Sequence, residues 1–164
     1  MPTKVLMVCL GNICRSPLAE GILQSKLPKQ DYFIDSAGTG NYHVGASPDK
    51  RSVITAKKFG IDISQQKCRQ FTKSDFETFD YIYVMDTSNY KNLITIAPDE
   101  KSKQKVKIIL KELHTSNTIE VPDPYYGDLE DFEHVFHLLD EVCKIIASKI
   151  KLNQIKFNLS FFLY

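Results

Sequence analysis

The 164-residue chain lacks several features that mark out whole classes of protein. It lacks net charge. With 21 Lys and Arg against 20 Asp and Glu, the formal charge of +1 gives no broad field for nucleic acid or an anionic membrane. It lacks a long apolar run: no stretch approaches the ~20 residues of a membrane span. Nothing ahead of Cys9 resembles a secretory signal with a small-residue cleavage site. There is no internal repeat and no low-complexity linker. Cys9 and Cys14 have no second close cysteine pair, and no histidine stands at zinc spacing from them, so metal fits poorly. No Gly-Lys-Ser/Thr follows the first apolar run, which excludes a Walker-type nucleotide loop.

What is present suits one soluble domain: 43% hydrophobic and 25% charged residues, in a length that supports a single core. The four cysteines are Cys9, Cys14, Cys68 and Cys143. A cytoplasmic setting is expected, where thiols stay reduced and clustered cysteines signal reactivity before disulfides.

Strand and helix patterns alternate. "KVLMVC" (Lys4 to Cys9) reads as a strand buried on both faces. Ser16-Pro17 is expected to cap the next helix, with proline at its first position. "YFIDSAG" (Tyr32 to Gly38) reads as a second strand, and Ser47-Pro48 as the start of a second helix that Gly60 stops. Strands are also expected over Phe79 to Asp86 and over Lys105 to Leu110, with Thr87 or Ser88 capping a short helix between them. Apolar spacing predicts a long amphipathic helix from Asp128 to about Lys151. The order implies an α/β domain with a mostly parallel sheet.

"VCLGNICRSP" (residues 8 to 17) carries the chemistry. It follows a strand and opens a helix, where open parallel sheets bind ligands. Backbone N–H groups and the helix dipole there form an anion nest. Gly11 and Asn12 are the residues suited to a left-handed turn. Cys9 sits at the floor of the nest as a nucleophile, since the amides, the dipole and Arg15 favour its thiolate. Arg15, at C-x5-R spacing, offers a planar fork to two oxygens of a tetrahedral oxyanion. The Ser16 hydroxyl lies within reach of the thiolate. Together these describe phosphoryl transfer through a phosphocysteine. A packed cysteine beside a surface arginine is the competing reading. The motif should arise by chance in roughly one such chain in a hundred, and its strand–helix context makes it rarer.

An aryl leaving group needs an acid, because a phenol's pKa is about 10. "PDPYYGD" offers Asp123 between two stiffening prolines, with Tyr125 and Tyr126 placed to stack on an aryl ring. Alone this segment reads as a polar turn; beside the C-x5-R loop it gains a catalytic reading. Cys14 shares the curled loop with Cys9 and is expected to lie near it. Oxidised Cys9 would then be open to capture by Cys14 as a disulfide.

These residues resemble the low-molecular-weight protein tyrosine phosphatase family. "VCLGNICRSP" resembles its N-terminal signature and "DPYYG" its acid loop. "DSAGT", "RQFTKSDFETFDYI" and "VMDTSN" extend the likeness over about residues 4 to 150. The resemblance implies a four-stranded parallel sheet with helices on both faces, no cofactor, and hydrolysis of phosphotyrosine in proteins or peptides. Phosphate and other oxyanions are expected as inhibitors. It makes Cys9 the nucleophile, Arg15 the phosphate clamp and Asp123 the general acid and then base. Leu10, Gly11, Asn12, Ile13 and Cys14 complete the phosphate loop with Arg15 and Ser16. Ser36 pairs with Asn12 to brace the loop, Asp86 matches a buried structural aspartate, and Tyr42, Tyr125 and Tyr126 line the cleft. Family members often carry both Cys9 and Cys14. The pattern departs at Gln66, where vertebrate members often have histidine, and beyond Lys151. The phosphatase domain is thus expected over residues 1–151, with 152–164 a tail that packs as an extra segment or is loosely held. Two alternatives share the loop. An arsenate reductase needs a close cysteine pair after the third strand, whereas Cys68 precedes that strand and Cys143 stands alone, both reading as small buried hydrophobes. A non-catalytic phosphate-binding module would lack the nucleophile or the acid.

Overall fold

The computed structural model describes residues 1–114 and 117–161. Its four strands are β1 (Thr3–Cys9), β2 (Tyr32–Gly38), β3 (Tyr81–Val84) and β4 (Val106–Ile108). All are parallel, in the order β2-β1-β3-β4. The helices are α1 (Arg15–Lys26), α2 (Lys50–Lys58), α3 (Asp75–Thr78), α4 (Thr87–Ile96), α5 (Glu100–Lys105) and α6 (Leu129–Phe161). A short 3-10 turn, Ile109–Leu113, follows β4.

β1 reads as an unbroken apolar run because both its faces are covered. Val5, Met7 and Cys9 alternate to the face that packs Leu18 and Ile22 of α1 and Leu139, Val142 and Ile146 of α6. Leu6 and Val8 face Phe76, Ile82, Val84 and Leu93 on the other side. From β1 the chain turns to β2 on one side and then crosses to β3 on the other. The carboxyl ends of β1 and β3 therefore flank a crevice at the switch of strand order. Loops after β1, after β3 and ahead of α6 converge on it.

The helix starts differ from expectation. Ser16 is not the cap of α1. That position falls to Cys14, which makes no side-chain cap, and Ser16 lies inside the first turn with its hydroxyl turned to Cys9 and Asn12. α2 is capped by Asp49, whose carboxylate accepts from the Arg51 amide, so Ser47-Pro48 precedes the helix. α4 is capped by Asp86, not by Thr87 or Ser88. Gly60 stands just beyond α2 with φ of 79°, the stop expected of it. β3 and β4 are shorter than expected, because β4 gives way to the 3-10 turn at Ile109.

α6 continues unbroken past Lys151 to Phe161. Thr3 Oγ1 donates to Gln154 and Asn153 donates to the Tyr81 hydroxyl, which ties this extension to β1 and β3. Residues 162–164 of the expected tail lie outside the described residues.

Candidate active site

Cys9 ends β1, buried, and the chain then curls through residues 10–14 into α1. The curl depends on Asn12, the residue in the loop with a left-handed backbone, at φ of 56°. Gly11, expected to share that role, does not take positive φ. It is small for another reason: the His43 ring lies 3.2 Å from where its Cβ would stand. Gly38 at the end of β2 permits a similar approach, since a Cβ there would sit 2.8 Å from the Leu10 carbonyl oxygen. Thr39 and Gly40 amides donate to the Cys9 and Leu10 carbonyls, which fastens the loop to β2.

The Cys9 thiol accepts from the Asn12 amide at 3.3 Å and lies 3.0 Å from Ser16 Oγ. Asn12 is the hub. Its Nδ2 donates at 2.9 Å to both Ser16 and Ser36, while its Oδ1 accepts from the Arg69 amide. Cys68, expected as a plain buried hydrophobe, is buried but also donates its thiol to the Asn12 carbonyl at 2.7 Å. Burial pushes that thiol up to about 11. Gln66 reaches the Pro17 carbonyl at the start of α1, not the braced serines.

Arg15 lies in the first turn of α1 with its side chain only 4% exposed. Its Nη1 donates to Asp86 at 2.7 Å and to the Val121 carbonyl at 3.0 Å. Its Nη2 stands 3.6 Å from Asp123. Burial works against the charge, but Cys9, Asp86 and Asp123 outweigh it and push the guanidinium up. Asp123 follows the Val121 amide bond to Met85 by two residues and accepts from the Tyr125 amide. Its side chain is 45% exposed, facing the crevice mouth.

Cys9, Leu10, Gly11, Ile13, Cys14, Arg15, Tyr42, Asp123, Tyr125 and Tyr126 line one cavity of about 340 Å³. Asn12, Ser16, Ser36 and Asp86 stand behind it as braces. Cys14 lies in the same wall as Cys9, its thiol pushed up first by burial and then by Asp49. Among the described residues no three His, Cys, Asp or Glu side chains gather to hold a metal, and no helix is long and apolar enough to cross a membrane.

Three residues escaped the sequence reading. His43 completes the cavity lining. Arg51 donates to Asp49 and to the Gly127 carbonyl, and lies 4.5 Å over the Phe132 ring and 5.8 Å over that of Tyr125. It props the tyrosine wall. Glu20 accepts from Ser36 at 2.6 Å. The available signal was spacing: Glu20 falls four residues after Ser16 on a helix whose neighbouring Ala19, Ile22 and Leu23 are buried.

Comparison with known proteins agrees with this geometry. The family model described as low molecular weight phosphotyrosine protein phosphatase matches residues 4–156. The Saccharomyces cerevisiae protein of that name is 44% identical over 153 residues, covering 89% of this chain and 94% of the yeast one. The human protein of that name is 40% identical over 155 residues, with the same coverages. Among solved structures, the Entamoeba histolytica protein tyrosine phosphatase superposes with a TM-score of 0.87 at 38% identity, covering 93% of this chain and 99% of that one. Vibrio vulnificus Wzb, solved with benzylphosphonate, gives 0.81 at 30% identity over 90% and 98%. Since both the sequence and the fold match across nearly the whole length, the chain belongs to the low-molecular-weight protein tyrosine phosphatase family and is a phosphotyrosine hydrolase.

Proposed function

We propose that hydrolysis runs through a phosphocysteine on Cys9. The observation that carries this is the Cys9 thiol at the base of the cavity, held between the Asn12 amide and the Ser16 hydroxyl beside the Arg15 guanidinium. The thiolate attacks phosphorus in line with the leaving phenol. Arg15 rotates its free donors onto two equatorial oxygens as negative charge spreads over them. Asp123, at the mouth, protonates the departing phenolate oxygen. In the second step its carboxylate takes a proton from water, which attacks the phosphocysteine and releases phosphate. The Ser16 hydroxyl donates to the sulfur as it leaves.

The substrate is a phosphotyrosyl protein or peptide, and phosphate and like oxyanions compete for the same loop. Tyr42, Tyr125 and Tyr126 are 72%, 40% and 97% exposed, so their faces are open to an aryl ring. The Vibrio vulnificus relative was solved with benzylphosphonate, which carries a phenyl ring beside a phosphonate, and this supports an aryl phosphate as substrate. All four cysteines are unpaired, which suits the reducing cytoplasm. Cys14 guards Cys9 against over-oxidation by forming a reversible disulfide. The arsenate-reductase alternative gains nothing from the fold, since Cys143 is buried in α6 and Cys68 faces Asn12.

The decisive test is Cys9→Ser with an aryl phosphate. Turnover should vanish while phosphate still protects the fold from heat, since the loop amides and Arg15 remain. Near wild-type turnover would refute the covalent route.

A further inference from the structure

Behind the loop a single line of hydrogen bonds joins the nucleophile to a carboxyl group outside the cavity. Cys9 Sγ stands 3.0 Å from Ser16 Oγ, which accepts from Asn12 Nδ2 at 2.9 Å. The other hydrogen of the same Nδ2 goes to Ser36 Oγ at 2.9 Å, and Ser36 donates to Glu20 Oε2 at 2.6 Å. The direction of every bond follows from the middle. An amide NH₂ only donates, so both serines must accept from Asn12 and pass their own hydrogens outward. The line is fully satisfied when an acceptor stands at each end. A thiolate and a carboxylate are such acceptors. Asn12 also carries the left-handed turn on which the loop depends.

We propose that Glu20 is a positioning residue for the phosphate loop, acting through Ser36 and Asn12, and that the loop is held at full strength only while Glu20 is ionised. A carboxylate accepts a stronger hydrogen bond than a neutral carboxyl does. Losing the charge weakens the hold on Ser36, then on Asn12, and so on the turn that sets the Arg15 and Cys9 geometry.

The surroundings of Glu20 favour its neutral form. Burial raises the Glu20 carboxyl to about 7, against the lowering from Ser36. The charged groups facing it are Asp35 on β2, which raises it further, and Arg69 ahead of α3, which lowers it. Arg69 is itself held by Asp35 and Asp75, so its charge is shared. Glu20 binds its proton more readily folded than unfolded. The cost of the buried charge is therefore absent below about pH 4.5 and grows as pH rises through 7. The chain thus keeps a charge that opposes folding at a point where only the loop benefits.

The test is the ratio of wild-type to Glu20→Gln kcat/KM on an aryl phosphate, followed from pH 5.5 to 8.5. Both proteins share substrate, Cys9 and Asp123, so the ratio reads the effect of the Glu20 side chain. The ratio should be about five at pH 8.5, the size expected when a charge-assisted bond becomes neutral. It should close toward one as pH falls below 7. Glu20→Gln should also melt higher than wild type at pH 8, with the gap closing toward pH 4.5. Ser36→Ala cuts the same line one link nearer the loop, and its ratio should show the same closure with pH. A flat ratio in both variants, a faster Glu20→Gln enzyme at pH 8.5, or joint loss of activity and melting temperature overturns the proposal. It rests on Cys9 as the nucleophile, so Cys9→Ser is assayed beside it. Retained turnover there overturns both readings, whereas an inactive Cys9→Ser with a flat ratio overturns this one alone.

Discussion

Asp86→Asn is expected to loosen the empty enzyme and sharpen its response to phosphate. Asp86 does two jobs: one oxygen caps α4 through the Asn89 amide at 2.7 Å, and the other meets Arg15 Nη1 at 2.7 Å. Asparagine caps a helix about as well as aspartate, so the substitution spares the cap and removes the charge. Arg15 then keeps the Val121 carbonyl and, at 3.6 Å, the more exposed Asp123. Truncating one partner of a buried ion pair costs about 3–5 kcal/mol. With its single amide oxygen kept on the cap, asparagine turns its NH₂ to Arg15 Nη1, which loses that acceptor, so about 3 kcal/mol is expected here, or roughly 6–12 °C in melting temperature for a chain of this size. Bound phosphate brings a countercharge to the same guanidinium. Its thermal protection should therefore be larger in the variant than in wild type, measured by scanning calorimetry across a phosphate series. Asp86→Ala should lose about 1 kcal/mol more, the value of the cap. An Asp86→Asn enzyme that melts with wild type, or gains less from phosphate, would show that the ion pair does not set the Arg15 charge balance.

Asp123→Ala should slow hydrolysis of phenyl-type esters by roughly 10²–10⁴, and much less for esters with acidic leaving groups; equal loss across a leaving-group series would remove Asp123 as the acid. Phosphotyrosine peptides should exceed matched phosphoserine peptides widely in kcat/KM, and comparable values would contradict an aryl-binding cleft. After peroxide and then dithiothreitol, wild type should regain most activity and Cys14→Ser much less. Equal recovery would leave Cys14 a packing residue.

The parts of the site that were legible in the sequence are those whose chemistry is local. The C-x5-R loop, its flanking strand and helix, and the acid between two prolines each sit within a few residues, and the cavity gathers them as expected. The helix starts were misread for a physical reason. Short polar residues compete for capping wherever they cluster, and tertiary partners decide among them. Ser16 was drawn to Cys9 and Asn12, while Asp86 took the cap of α4 along with Arg15. The four- and six-residue helices α3 and α5 carry too few turns for a periodic signal. Glu20 was signalled only by its spacing from Ser16, and His43 and Arg51 act across sequence separations that no local pattern encodes. The Arg51 bond to Gly127, for example, spans 76 residues.

α6 begins soon after the segment that carries Asp123 and passes the strand starts at Asn153 and Gln154 before it ends. Its 33 residues amount to about 50 Å of rigid rod. The crevice lies at the other end of the sheet. A fluorophore, affinity handle or fused domain attached after the helix is thus carried to the far pole of the molecule, clear of an incoming phosphoprotein. An attachment ahead of Thr3 lies toward the same pole, because Thr3 at the start of β1 bonds Gln154 in the last third of the rod. For immobilised assays, attachment at either the start of β1 or the end of α6 therefore presents the cleft outward from the support.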